Sequence, residues 1–287
     1  GVRLVGSEMC IRDSSNNLLY AHQYGFQHGK STEQNLLQLT NYLNNALNDK
    51  KYAIGIFLDL KKAFDVCSHS ILLRKLKKLG ITGLALQWFS SYLKDRLQKV
   101  DINGNLSSAQ SLDISVLQGS ILGPILFLCY INDLYLCTSL FTTMFADDTA
   151  CADSDLRLNT LITRANTELK KIATWFRSNK MMVNISKTKY IIFHNKGKEI
   201  DMTELQIIFD DNEPNMSDPA LMTSLERYHD NHASPECRAY KLLGIHLDEH
   251  LNFNFHTNFL SNKLTRSLFC MRRAKHILSL AALRSLY

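Results

Sequence analysis

Proline and glycine are scarce in this 287-residue chain, 4 and 12 respectively. With so few chain breakers and 45% hydrophobic residues it can bury a sizeable core, so it reads as globular, with one large domain or two small ones. Long apolar runs are missing: no stretch approaches the ~20 residues of a membrane helix, and no membrane partner is expected. No C-x-x-C pair occurs among the seven cysteines, and several of them stand in apolar runs. That is the usage of a reducing compartment, where cysteine serves as a small core residue. The net charge of +6 is compatible with a polyanionic partner and does not by itself establish one.

The first residues stand apart. "RLVGSEMCIRDS" (Arg3 to Ser14) has no apolar core of a signal peptide and no periodicity that fits the rest of the chain. It looks like the in-frame translation of a sequencing-library adapter, so residues 1–14 are read as an assembly scar. Beyond them, elements alternate without a repeat. Ser31, Thr32 and Glu33 offer helix-starting chemistry before Leu36, Leu39, Leu43 and Leu47 at helical spacing. "YAIGIFLDL" reads as a buried strand ending at Asp59, and Asn103-Gly104 between two strand-like runs reads as a hairpin. "ILFLCYINDL" is an apolar helix after the turn "QGSILGP". Ser139 to Phe145 and Thr149 to Ala152 are strands, and Leu158 to Phe176 is a long amphipathic helix. From Asn195 to Arg238 the composition turns acidic and polar and holds three of the four prolines, Pro214, Pro219 and Pro235, which marks a surface insertion. "YKLLGIHLDEHLNF" then resumes strand-like alternation, and Phe259 to Tyr287 returns to helix. Strands with irregularly interspersed helices indicate an α+β fold.

"LFTTMFADDTA" carries the first chemical signal. Asp147 and Asp148 are adjacent, and adjacent side chains on a strand point to opposite faces, so the two serve one site only where the backbone turns between them. Two carboxylates ~4 Å apart repel by about 4 kcal/mol at an effective dielectric near 20, and a cation removes that penalty. A second acidic strand end, Asp59 in "GIFLDLKKAFD", supplies a third carboxylate. Oxygen-only ligands of this kind suit Mg²⁺, and two such ions can activate a 3′-hydroxyl and stabilise a leaving pyrophosphate, which is nucleotidyl transfer. An isolated Asp-Asp pair is otherwise a solvated turn.

"QYGFQHGKSTEQNLL", "FLDLKKAFD", "QGSILGPILFLCYINDL", "FADDTA", "WFRSNKMMVNISKTKYIIF" and "YKLLGIHLDEHLNFNFH" stand in the order of the fingers and palm motifs of reverse transcriptases. The chain resembles those of non-LTR, jockey-like retrotransposons. The resemblance implies a right-hand polymerase palm, an antiparallel sheet with packed helices, with partial fingers (15–58), palm (59–255, insertion at 195–238) and the start of a truncated thumb (256–287). It implies RNA-directed DNA synthesis on an RNA template from a DNA primer or target with dNTPs, two Mg²⁺ ions with Mn²⁺ as the alternative, and work inside the cell, in the nucleus. Asp59 and Asp147 correspond to the principal metal ligands and Asp148 to the auxiliary one. Phe64 corresponds to the bulky residue that excludes a ribose 2′-hydroxyl, and Gln118 and Gly119 to the turn against template and nucleotide, where glycine allows close backbone approach. Lys187 corresponds to the lysine that assists pyrophosphate departure, with Lys189 as a competitor. Tyr240, Lys241, Leu242, Leu243 and Gly244 correspond to the primer grip.

Other features are weighed beside these. Arg74, Lys75, Lys77 and Lys78 touch nucleic-acid backbone or form a solvated helix face, the latter being the simpler reading. His229, His232 and Cys237 match no common zinc spacing. Gln27 stands where many relatives carry arginine, and the usual upstream fingers sequence and endonuclease domain are not present, so the chain is expected to be an internal piece of a retrotransposon polyprotein. The alternative is a decayed element whose product is a catalytically silent nucleic-acid-binding fold. An RNA-directed RNA polymerase is disfavoured by "FADD" and by Phe64.

Overall fold

The computed structural model describes residues 18–117, 119–198, 200–201, 205–209, 223–228, 239–277 and 282. Two compact units divide the chain, Gly1–Arg227 and Tyr228–Tyr287. The scar reading of residues 1–14, His229, His232 and Cys237, and the three prolines of the insertion all lie outside the described residues.

In the first unit, helix α1 (Thr32–Asn48) begins at Ser31, whose hydroxyl accepts from Gln34 N while the Gln34 side chain accepts from Ser31 N. This capping box satisfies two N–H groups that a helix start leaves open. Strand β1 (Tyr52–Leu58) is buried from Ala53 onward, which explains its unbroken apolar run. Helices α2 (His69–Lys78) and α3 (Gly83–Leu93) come next. Then come β2 (Arg96–Gln98), β3 (Asp101–Ile102), β4 (Asn105–Leu106) and β5 (Gln110–Leu112). Asn103 and Gly104 have φ of 53° and 85° between paired Ile102 and Asn105, the two-residue turn expected from that dipeptide. Helix α4 (Leu122–Ile131) is apolar on every side and buried, and it ends sooner than its sequence implies, giving way to a 3₁₀ turn, Leu134–Cys137. Strands β6 (Phe141–Phe145) and β7 (Asp148–Asp155) form a hairpin, and α5 (Leu158–Ser178) and β8 (Lys189–Phe193) complete the frame.

The sheet runs β8-β1-β7-β6 with each neighbour antiparallel, and one further strand from the insertion lies outside β8. Alternation sorts β1 between two layers. Ile54, Ile56 and Leu58 join the core built with α2, α4 and α5, whereas α1 packs against β1, β6 and β7 through a separate set of buried leucines. A Cβ on Gly55 would lie 2.9 Å from the Phe193 ring, so this position has room only for hydrogen.

The surface-insertion reading of 195–238 needs correction. Strands β9 (Ile208–Phe209), β10 (Thr223–Ser224) and β11 (Glu226–Tyr228) lie within it, and Ile207, Phe209 and Leu225 are buried in the main core. The apolar run "LQIIF" drives this despite its polar surroundings. In the second unit, β12 (Tyr240–Leu242) and β13 (Ile245–Leu247) pair antiparallel, and α6 (Asn254–Ala274) packs on β13. No described helix is long and apolar enough to cross a membrane.

One buried carboxylate anchors the approach to the β6–β7 hairpin. Glu168 of α5 accepts from Thr138 Oγ1 (2.9 Å), Ser139 N (2.8 Å) and Lys171 Nζ (2.7 Å). Burial alone would raise its pKa, but these three donors outweigh it and hold the carboxyl down at about 2, from an ordinary 4.5. A depressed folded-state value stabilises the fold above pH 4.5, and that contribution is lost as pH falls toward 2. Glu168→Gln is expected to cost about 2 to 3 kcal/mol at pH 6, shrinking toward zero near pH 2, in denaturant unfolding.

Candidate active site

Register places the carboxylates. Leu58 pairs with Thr149, so antiparallel continuation sets Asp59 opposite Asp148, the first residue of β7. Phe145 pairs with Asp148, leaving Ala146 and Asp147 as a two-residue turn, and the backbone reversal that two adjacent ligands require is present. Ala146 has φ of 57°, at the position that type II′ turns reserve for glycine. Asp59 and Asp147 are half-buried and Asp148 is exposed. The Asp148 carboxyl is shifted up from its ordinary 3.8, first because surrounding protein displaces its water and then because Asp147 and Asp59 repel its charge. All three charges therefore act on one region.

The backbone of Asp59 is clamped from β8's side. Its N–H donates to Thr188 Oγ1 (3.2 Å), and its carbonyl accepts from Asn184 N (2.8 Å). Thr188 N and Lys187 N in turn donate to Asn184 O, at 2.8 and 3.1 Å. Lys187 is thus an exposed residue of a turn fastened to Asp59. Its competitor Lys189 pairs with Glu226. Sequence reasoning missed Asn184 and Thr188. The signal was the turn-forming composition of "NISKT" one strand away from Asp59.

Phe64 is half-buried, stacked on Phe127 of α4 at 4.3 Å between ring centroids and met edge-on by Phe26 at 6.3 Å. Its carbonyl accepts from Val116 N (2.9 Å), which ties it to the segment leading into the glycine turn. Gln118 lies outside the described residues. Gly119 has φ of 81°, with nothing within 4 Å of the position a Cβ would take. Close approach within the protein itself occurs at Gly123, where a Cβ would lie 2.3 Å from Leu117 O. Gly119 is a glycine for its dihedral and Gly123 for its contact.

Of the cations on α2, Arg74, Lys77 and Lys78 are exposed, but Lys75 is neither solvated nor available to nucleic acid. Its Nζ donates to Tyr130 O (2.5 Å) and Asp133 Oδ1 (2.6 Å) and lies over the Trp175 ring at 4.5 Å. Burial lowers its pKa more than Asp133 raises it. Tyr240 to Gly244 form the β12–β13 hairpin of the second unit rather than a continuous strand. Leu243 and Gly244 have φ of 46° and 94°, a type I′ turn.

An antiparallel sheet with helices on it and carboxylates at the ends of two neighbouring strands is the arrangement the sequence resemblance leads one to expect of a polymerase palm. Residues 8–247 match the family described as reverse transcriptase (RNA-dependent DNA polymerase), and the chain belongs to that family. It is 29% identical over 242 residues to the RNA-directed DNA polymerase from mobile element jockey of Drosophila melanogaster, covering 82% of this chain and 24% of that protein. It is 30% identical over 195 residues to the probable RNA-directed DNA polymerase from transposon BS of the same organism, covering 65% and 21%. The chain thus spans about a quarter of the length of these curated relatives. A solved structure of telomerase from Candida albicans, in complex with a fragment of telomeric RNA, is similar over 70% of this chain and 34% of its own, at TM-score 0.45 and 16% identity.

The two glycines make a testable contrast. Gly119→Ala meets only the left-handed dihedral and is expected to cost about 1 to 2 kcal/mol. Gly123→Ala drives a methyl into a carbonyl at the start of α4, with a larger loss of about 3 kcal/mol or more, both read by denaturant unfolding.

Proposed function

We propose that this chain is the catalytic palm of an RNA-directed DNA polymerase, adding dNTPs to a DNA primer on an RNA template in the nucleus. The observation that carries the reading is the placement of Asp59, Asp147 and Asp148 at neighbouring strand ends by the β1–β7 register and the Ala146–Asp147 turn. Reverse transcriptases use divalent metal, and the residues fit it: the ligand set is all carboxylate, and Asp148 is already disfavoured as an anion, first by the protein around it and then by Asp147 and Asp59. Asp59 and Asp147 would hold two Mg²⁺ ions, with Mn²⁺ as a substitute and Asp148 as auxiliary ligand. The bound ions supply Lewis acidity toward the 3′-hydroxyl and the phosphates.

The chain's own residues do the rest. The Asn184–Thr188 turn holds the backbone of Asp59 in place. Phe64, backed by Phe127, sits as a rigid aromatic wall against the ribose, where a 2′-hydroxyl would collide with it. Lys187 offers a positive charge to the departing pyrophosphate. Gln118 and Gly119 border the template and nucleotide, and the Tyr240–Gly244 hairpin holds the primer.

A second reading has its own observation. Gln27, standing where relatives carry arginine, donates its Nε2 to Gln23 O (2.7 Å), and Lys30 Nζ donates to Ala21 O and Gln23 O (2.7 and 2.8 Å). On this second reading, with these donors engaged internally, the chain would be a nucleic-acid-binding fold that has lost catalysis.

Metal-dependent primer extension by a protein containing this chain is expected to fall roughly 10³-fold or more on Asp147→Asn. Retained extension removes the proposed site. Nucleic-acid binding with a steep salt slope and no incorporation by the unaltered protein favours the second reading. Phe64→Val is expected to raise ribonucleotide incorporation relative to deoxyribonucleotide by about tenfold or more, scored on alkali-treated products.

A further inference from the structure

The tip of the β6–β7 hairpin is held from outside the hairpin. Ala146 combines φ of 57° with 3% exposure, so its backbone is in a conformation that L residues avoid and its N–H has no water to meet. The acceptor is Gln23, itself 1% exposed. Its Oε1 takes the Ala146 N–H at 3.0 Å and the Gly25 N–H at 2.8 Å. Backbone bonds align this segment along β6: Tyr24 N donates to Met144 O (2.8 Å), and Met144 N donates to His22 O (2.9 Å). Gly25 completes the fit, since a Cβ there would lie 2.3 Å from Ala146 N.

The orientation of the carboxamide is informative. Two converging N–H groups demand an oxygen, and among the described residues the Nε2 on the other side is buried with no partner. An unpaired buried amide is costly and is kept only where the oxygen's task outweighs it. A hairpin needing no more than a turn would place glycine at 146 and leave residue 23 unconstrained. Here a strained alanine is pinned immediately before Asp147 by a side chain 123 positions away.

We infer that Gln23 is a positioning residue: by accepting the Ala146 N–H it fixes the strained turn and hence the direction in which Asp147 leaves it. The inference rests on the proposed role of Asp147 as a metal ligand.

Binding of Mn²⁺ alone to the 287-residue chain, followed by the electron paramagnetic resonance of the free ion, tests both separately, with melting in the absence of metal reporting on folding. Asp147→Asn is expected to weaken binding strongly. Gln23→Met, which removes the acceptor at similar volume, is expected to weaken it by about tenfold or more, as loss of support behind a ligand typically does. Ala146→Gly added to Gln23→Met is expected to recover at least about threefold, because glycine adopts the turn unaided. A folded Gln23→Met variant with unaltered Mn²⁺ affinity overturns the inference, and so does weakening that Ala146→Gly does not relieve. Unaltered binding by Asp147→Asn overturns the site itself, whereas a strong Asp147→Asn effect beside a silent Gln23→Met overturns the positioning role alone. Should Gln23→Met not fold, Gln23→Glu decides, since it keeps the acceptor oxygen: affinity at or above that of the unaltered chain supports the role, and about tenfold loss in a folded protein overturns it.

Discussion

The pairing of β1 with β7 sets Asp59 opposite Asp148, and this register must be held against the repulsion it creates. The Asp148 carboxyl is shifted up, first by the protein around it and then by Asp147 and Asp59, so the arrangement carries a cost. A one-residue slip would separate them, but it would also send Ile54, Ile56 and Leu58 to the opposite face of the sheet. Each such side chain gains about 1.5 to 3 kcal/mol on burial, so the core outweighs the acidic cluster and keeps it together. Gly55 adds a steric lock, because only hydrogen fits beside Phe193 at that point of the register.

The strand ends set position but not aim. Asp147 follows a left-handed alanine, and the hairpin's own residues do not favour that geometry. Support arrives from three separate places: Glu168 fastens the approach to β6, the His22–Gly25 segment grips the tip, and the Asn184–Thr188 turn clamps Asp59. Each uses a buried side-chain oxygen that accepts from a backbone N–H. Hydrogen bonds of that kind are directional, whereas apolar packing alone tolerates small rotations.

Much of this was legible in the sequence. An unbroken apolar run located β1 and 3.6-residue periodicity located α1 and α5, and Asn103-Gly104 gave its turn, because these signals are local. The acidic strand ends were visible because charge interrupts an apolar run. Long-range support was not: a glutamine in "QYGF" has no local feature that announces a bond to residue 146. Lys75 misled for the same reason, as its helix reads basic and exposed until Asp133 and Tyr130 close over one of its four cations. Gly119 and Gly123 look alike in "QGSILG", and only the fold shows that one serves a dihedral and the other a contact. In the polar stretch 195–238 the core residues Ile207, Phe209 and Leu225 stand among polar and acidic neighbours that masked the short run "LQIIF".

These contacts also change what the net charge of +6 means for a polyanionic partner. Lys75 is buried against Asp133, Lys189 is paired with Glu226, and Lys30 is tied to backbone carbonyls. Such cations stabilise the fold and release no counterions from a nucleic acid. The affinity for phosphate must come from exposed residues such as Arg74, Lys77, Lys78 and Lys187. Each phosphate neutralised on a duplex contributes roughly 0.9 to the salt slope, and the internally held cations add nothing to it.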